Sequence, residues 1–121
     1  MQCNKVAFAH HQDDVVHTAM LNLFRHGRIE GLEPVRTLFG GALTLIRPLW
    51  LVEERRLVEF ARVRAIPPQV SRCANAATSE RARMREAFSV IERDCRRARI
   101  NMLRALDLTE RRRTDGGTKL V

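Results

Sequence analysis

The order of hydrophobic patterns along the chain predicts an α/β fold with parallel strands. Residues 5–9, KVAFA, form an apolar run, and a helical repeat follows directly. Residues 42–46, ALTLI, form a second short apolar run that again precedes a helical segment. Strands that alternate with helices pair in parallel, because each helix carries the chain back across the sheet. The 121 residues are enough for one domain with a modest core.

The first strand is apolar at every position after Lys5. Such a run is typical of a strand that is covered on both faces in a parallel sheet. The pattern contains only two strands, and two strands cannot flank this one on both edges. We therefore expect the chain to form part of a larger sheet, which a second polypeptide or a second copy of the chain could complete.

A helix is predicted from about Asp14 to Gly27. Its apolar residues recur at i, i+3, i+4, i+7 and i+8 and form one stripe. They are Val16, Ala19, Met20, Leu23 and Phe24. Asp13 or Asp14 suits the N-cap, and Gly27 suits the stop. Residues 27–42 contain four glycines and one proline, and we predict that they form a loop.

Two further helices follow the second strand. Residues 53–65 have glutamates in the first turn and arginines in the last, and Pro67-Pro68 ends the helix. Residues 79–106 predict the longest helix, with an apolar seam in which steps of four and three alternate. The seam consists of Met84, Phe88, Ile91, Cys95, Ala98 and Met102. We expect Cys95 to lie in the core, and His17 and His26 on the surface.

These elements suggest three parts. Residues 1–78 form a partial α/β domain, residues 79–106 form a long basic helix, and residues 107–121 form a tail. The tail shows no periodicity, and we expect it to be disordered.

The charge of +8 is concentrated in residues 51–121, which carry +7, and 20 of the 22 basic residues are arginine. A basic surface favours a polyanionic partner such as nucleic acid, although a coding bias toward arginine gives the same composition. No apolar run is long enough to cross a membrane, and we expect no membrane partner. Three cysteines without a CxxC pair and without a secretory signal indicate a reduced, cytoplasmic setting.

Polar residues follow the first strand at once: His10, His11, Asp13 and Asp14. In open α/β sheets, ligands bind beyond the carboxyl ends of the strands. Helix capping by Asp14 and solvation of Asp13 explain part of this pattern, but they leave the two histidines unexplained. Carboxylates can hold Mg²⁺ among phosphates, and a neutral imidazole can bond to a nucleotide oxygen. The pattern therefore favours a nucleotide site.

Four sequence blocks resemble one family. They are NKVAFAHHQDDVVHT with LNLFRHGRI, then LTLIRPLW, then EERRLVEFARVRAIP, and finally SRCANAATSERARMREAF. Their order and spacing over about residues 3–90 resemble the PP-loop ATP pyrophosphatases, and most of all the tRNA 2-thiocytidine synthetases. This resemblance implies an adenine nucleotide alpha hydrolase-like, Rossmann-like domain, of which the chain contains the C-terminal part.

The resemblance also implies an activity and its residues. Such enzymes use ATP to adenylate a cytidine of tRNA, and sulfur then displaces AMP to give 2-thiocytidine. By this likeness His10 and His11 would border ATP, while Asp13 and Asp14 would be the catalytic residues that position Mg²⁺ or the substrate. Cys73 would be one ligand of a 4Fe-4S cluster, together with an upstream CxxC pair.

Arginines would contact the tRNA by the same likeness. Arg28 and Arg47 would hold the site or contact tRNA. Three arginines of the third predicted helix would contact the RNA backbone, and they are Arg81, Arg83 and Arg85.

The printed sequence departs from the family pattern in two motifs. Neither an SGGxDS phosphate loop nor a CxxC pair occurs in it. We therefore expect either a truncated or partner-dependent form of the thiolation enzyme, or a catalytically dead RNA-binding module derived from this family. Whether the chain by itself is an enzyme stays open at this point.

Overall fold

The computed structural model describes residues 3–68 and 79–114, with side chains described as far as residue 107. It is a mixed α/β structure, as predicted. Its described residues fall into two compact units. The first contains residues 3–15 and 32–68, and the second contains residues 16–31 and 79–114. Helix α1, Gln12–His26, begins in the first unit and continues in the second.

The first unit contains a three-stranded sheet of order β1-β3-β2. Its strands are β1 (Lys5–Ala7), β2 (Val35–Leu38) and β3 (Leu43–Ile46). β1 and β3 are parallel, with Ala7 opposite Ile46, which confirms the predicted parallel pair. β2 and β3 are antiparallel, with Leu38 opposite Leu43.

Strand β2 lies inside the segment that we predicted to be a loop. The glycines that suggested a loop belong to the turn between β2 and β3, since Phe39–Gly41 forms a single 3-10 turn. Gly40 and Gly41 have φ of 63° and 101°, values at which a side chain is strained. The tight turn makes β2 and β3 a hairpin, and it is the reason for the antiparallel pairing.

Strand β1 does not have the predicted cover on both faces. Its three residues are exposed, and Val6 keeps 41% of its surface accessible. Phe8, just after the strand, keeps 40%. The strand lies at one edge of the sheet that the described residues form, its main contact among the described elements is with β3, and no described helix packs extensively on its faces.

The helices of residues 12–68 agree with the prediction. α1 begins at Gln12, two residues earlier than predicted, so that Asp13 and Asp14 lie in its first turn, and it ends just before Gly27, whose φ is 63°. Helix α2, Glu54–Val63, follows β3 with Glu54 in its first turn and Arg62 in its last.

The long helix predicted for residues 79–106 is instead two helices, α3 (Glu80–Asp94) and α4 (Ala98–Thr114). The Ser79 hydroxyl caps α3, accepting a hydrogen bond from the Ala82 amide at 3.2 Å. Cys95 ends it with an extended backbone, φ −127° and ψ 92°. The free thiol of Cys95 is exposed, so its predicted place in the core was wrong.

Burial of apolar residues accounts for the break. Both helices pack against one core cluster of the second unit, in which Val16, Met20 and Phe88 are buried. The residues packed against this cluster are Met84, Ala98, Met102 and Leu103. A single straight helix would place the α4 residues too far along its axis to reach the same cluster.

Two further expectations differ from the structure. His17 is buried in the second unit, with its ring centroid 6.1 Å from that of Phe88 in an edge contact, so it is not a surface residue. Residues 107–114 are helical where we expected disorder, while residues 115–121 lie outside the described residues. No helix in the described part of the chain has the length and apolar character needed to cross a membrane.

Candidate functional site

The parallel strands β1 and β3 end side by side in the first unit. The Phe8 amide donates to the Ile46 carbonyl at 2.9 Å, which carries the pairing one residue beyond β1. The chain then reaches His10 after β1 and Arg47 after β3. The sequence predicted polar residues at this end of the sheet, and the structure brings His10 and Arg47 into contact there.

Three side chains form a layered group at this point, which we call the strand-end stack: Phe8, His10 and Arg47. The rings of Phe8 and His10 are stacked, with centroids 5.5 Å apart and an interplanar angle of 24°. The Arg47 guanidinium lies over the Phe8 ring, 5.9 Å from its centroid. Arg47 Nε also donates a hydrogen bond to His10 Nδ1 at 3.3 Å.

Arg47 is held by the loop that precedes β2 as well. Its guanidinium NH1 donates to the Glu33 carbonyl, and its backbone amide donates to the Pro34 carbonyl at 2.8 Å. The side chain is partly buried, and its Nε and NH1 both donate inside the first unit. These contacts fit the predicted role of Arg47 in holding the site, and its contact with tRNA stays a prediction.

His11 lies beside both predicted catalytic carboxylates. Its Nε2 is 3.4 Å from Asp14 Oδ2, and its Nδ1 is 3.8 Å from Asp13 Oδ2. The His11 backbone amide donates to Asp14 Oδ2 at 3.1 Å. Asp14 thus bonds back to the residue before the helix, as the side chain at helix position N3 does in a capping box. The prediction of Asp13 or Asp14 as the N-cap was wrong, because α1 begins at Gln12 and both aspartates lie in its first turn, where the Asp14 side chain nevertheless caps the His11 amide.

Asp13 connects two helix starts. Its Oδ2 accepts a hydrogen bond from the Glu54 backbone amide at 2.7 Å, so a carboxylate from the first turn of α1 caps α2. A negative charge is favourable at this place because the amides at a helix N-terminus are unpaired and the helix dipole is positive there. Asp13 is consequently part of the scaffold, and it is not simply solvated as the capping-only interpretation supposed.

Two buried polar atoms at the start of α1 have no hydrogen-bond partner: His11 Nδ1 and Gln12 Oε1. Gln12 is only 9% exposed, and its backbone amide donates to the Val52 carbonyl at 2.9 Å. Buried polar atoms are normally satisfied by protein, water or ligand. Their position beside Asp13 and Asp14 fits a polar ligand at this end of the sheet.

The residues described in 3–68 and 79–107 contain no group of three or more His, Cys, Asp or Glu side chains that could hold a metal ion. Mg²⁺ in nucleotide sites needs no such group, because it usually takes one or two carboxylates, with phosphates and waters completing its shell. Cys73, the predicted cluster ligand, lies outside the described residues.

The other predicted arginines belong to the second unit. Arg28 is exposed, just after the glycine that ends α1, and Arg81, Arg83 and Arg85 are exposed on α3. Successive helical residues are separated by about 100°, so Arg81 and Arg85 share a face and Arg83 does not. The three arginines of α3 therefore cannot all face one phosphate chain.

Helix α2 carries a surface that was not predicted from the sequence. A groove of about 610 Å³ is lined there by Arg55, Arg56, Glu59, Phe60 and Val63. Phe60 is 56% exposed, and the Arg64 guanidinium lies 5.5 Å from its ring centroid. The spacing of these residues on one helical face was the available signal. We also missed Phe8 and the Glu33 carbonyl as parts of the strand-end site.

Comparison with known proteins gives a consistent answer. The PP-loop domain family matches residues 1–89 of this chain. The chain is 40% identical over 106 residues to a tRNA-cytidine(32) 2-sulfurtransferase of Geobacter metallireducens, and 37% identical to that of Geobacter sulfurreducens. Each alignment covers 86% of this chain and 41% of the relative, so the chain spans about two fifths of these relatives. The strand-end stack, His11 and both aspartates lie within the matched residues, and the chain belongs to the PP-loop domain family.

Proposed function

We propose that this chain contributes one part of the nucleotide site of an ATP-dependent tRNA-cytidine 2-sulfurtransferase. The observation that carries the proposal is the strand-end site. After β1, His10 contacts Arg47 and the next residue, His11, lies beside Asp13 and Asp14, all within the family match. The names of the relatives supply the substrate class, tRNA cytidine, and the family supplies ATP.

The proposed reaction has two steps. The O2 oxygen of cytosine attacks the α-phosphorus of ATP, and the bond to pyrophosphate breaks. A sulfur nucleophile then attacks C2 of the base, the C2–O bond breaks, and AMP leaves with that oxygen. The second step gives 2-thiocytidine, and its barrier is lower because adenylate is a far better leaving group than oxide.

The strand-end residues suit the first step. His10 and His11 would border the nucleotide, and an imidazole N–H can donate to its oxygens. Asp13 and Asp14 would hold Mg²⁺ together with phosphates, which a pair of carboxylates with waters can do. The unpaired His11 Nδ1 and Gln12 Oε1 support this fit, because a polar ligand there would satisfy buried atoms.

Other parts of the proposal depend on polypeptide beyond the 121 residues. An SGGxDS phosphate loop and a CxxC pair would have to come from further sequence or from a second polypeptide, since neither motif occurs in the 121 residues. Cys73 would then be one ligand of a 4Fe-4S cluster. The exposed apolar edge at β1 supports a sheet that continues into such a partner. We place the activity in the cytoplasm, where tRNA and reduced thiols occur together.

The test joins this chain to the part of the Geobacter metallireducens relative that it does not match. The fusion is expressed in a bacterium that lacks its own tRNA-cytidine 2-sulfurtransferase, and 2-thiocytidine is measured by mass spectrometry of digested tRNA. We expect the nucleoside to appear, and we expect Asp14→Asn in the fusion to reduce it strongly. A stable fusion that binds ATP but makes no 2-thiocytidine would contradict the proposal.

The alternative function is an RNA-binding module without catalysis. The exposed arginines of α3 favour it, together with the +7 charge of residues 51–121. It predicts salt-dependent binding of tRNA by the 121-residue chain, while the fusion stays inactive. Thiolation by the fusion would exclude this alternative.

A further inference from the structure

The strand-end stack contains a hydrogen bond whose direction is fixed by chemistry. Arg47 Nε lies 3.3 Å from His10 Nδ1. A guanidinium has five N–H donors and no acceptor, so His10 must supply the lone pair. A neutral imidazole that accepts at Nδ1 carries its proton on Nε2. Contact with Arg47 therefore selects one of the two neutral tautomers of His10.

The surroundings hold both partners in place. The Phe8 ring stacks on His10 at 5.5 Å, which restricts the rotation of the imidazole out of its plane. Arg47 is held by the Glu33 carbonyl and lies over the same Phe8 ring. The imidazole is partly buried, so water competes less well for Nδ1 than it would at a fully exposed histidine.

We propose that Arg47 is a positioning residue that fixes His10 as the tautomer with its proton on Nε2. That N–H then serves as a donor to an acceptor oxygen of the nucleotide. The assignment of the tautomer stands without the proposed function, whereas the use of the N–H as a nucleotide donor rests on it. By this inference Arg47 acts through His10 and makes no contact with RNA.

The first arm of the test measures the tautomer itself. The full chain is labelled with ¹⁵N-histidine, and the two ring nitrogens are read from long-range ¹H–¹⁵N correlations above the pH range in which histidine titrates. Assignment uses His10→Gln. We expect a protonated Nε2 and an unprotonated, hydrogen-bonded Nδ1 for His10 in the wild-type chain. A proton on Nδ1, or averaging between both nitrogens, would overturn the inference without any variant.

Arg47→Met then removes the donors and keeps the aliphatic stem. We expect the ¹⁵N chemical shifts of both His10 ring nitrogens to move toward the average of the two tautomers. The exposed His26 should keep its shifts, and it serves as an internal control. Arg47→Leu also lacks a donor, and it covers the case in which the Met variant does not fold. His10 shifts that are unchanged in a folded Arg47 variant without a donor would overturn the role of Arg47.

The second arm uses the thiolating fusion and two amide variants. His10→Gln can place an N–H near the position of Nε2, whereas His10→Asn reaches only the position of Nδ1. We expect KM for ATP to rise about tenfold or more in the Asn variant and clearly less in the Gln variant. Equal losses would overturn the donor role of Nε2. An inactive wild-type fusion would refute the proposed function and leave the tautomer result unaffected.

Discussion

The two units of the chain are stabilised in different ways. In the second unit, Val16, Ala19, Met20, Phe88 and Leu106 are buried apolar residues. Among the described residues of the first unit, Val15 is the only buried apolar side chain. The strands β1 and β2 are largely exposed. Packing of apolar side chains therefore stabilises the second unit, while hydrogen bonds hold the polar side chains at the strand end in place.

This difference matters for the candidate site. Arg47, His10, His11 and the two aspartates lie in the unit with little buried apolar surface, and each has a defined polar contact. Hydrogen bonds hold a polar side chain in one orientation, and the donors and acceptors that they leave over can then meet a ligand, as the buried Gln12 Oε1 can. The comparison predicts that substitutions have their largest effects on stability in the second unit and their largest effects on chemistry in the first.

Loss of a buried aromatic ring should give the largest change in stability. Phe88 is 2% exposed and packs in the core cluster. Phe88→Ala should lower the free energy of unfolding by about 3–5 kcal/mol, from lost burial and the cavity left behind. Chemical denaturation followed by circular dichroism measures it. The matched control is Phe24→Ala, since Phe24 is mostly exposed and should cost much less. Equal effects would show that the cluster around Phe88 is not the core.

Removal of the carboxylate that caps α2 should have an intermediate effect. Asp13→Ala leaves the Glu54 amide without its acceptor and should cost about 1–2 kcal/mol. Asp13→Asn keeps an acceptor oxygen and loses only the charge, which costs about 0.3–1 kcal/mol at a helix N-terminus. The same denaturation experiment separates the two variants.

These aspartate variants also separate scaffold from chemistry. If Asp13 serves Mg²⁺ in the fusion, Asp13→Asn should lose activity well beyond its small loss of stability, because an amide is a much poorer Mg²⁺ ligand. Activity that falls only in proportion to stability would assign Asp13 to the scaffold alone.

Much of the fold follows from local patterns in the sequence. The polar run after an apolar strand, with Gly27 ending the helix, was enough to predict β1, α1 and the site between them. The predicted parallel pairing of β1 and β3 then places the residues after both strands at one edge, and this is where His10 and Arg47 meet.

Features that depend on tertiary contacts were not predictable in this way. The break at Cys95 has no glycine or proline to signal it, and it follows from packing of α4 on the cluster around Phe88. His17 looked like a surface residue because its partner, Phe88, is 71 positions away in the chain. The cap that Asp13 provides to Glu54 spans 41 positions and was missed for the same reason.

Exposed arginines of α3 should show the smallest effect on stability and a distinct effect on binding. Arg81 and Arg83 are exposed, and replacing both with glutamine should change the free energy of unfolding by no more than about 0.5 kcal/mol. For each of the two that contacts a phosphate, the slope of log K for tRNA against log salt should become shallower by about 0.7–0.9. Fluorescence anisotropy with labelled tRNA over a salt series measures the slope.

The control is Glu86→Gln on the same helix, which removes an acid and should leave the slope no shallower. Because the two arginines lie on different faces of α3, single variants will show which face meets the RNA, and an unchanged slope in the double variant would exclude Arg81 and Arg83 from the interface.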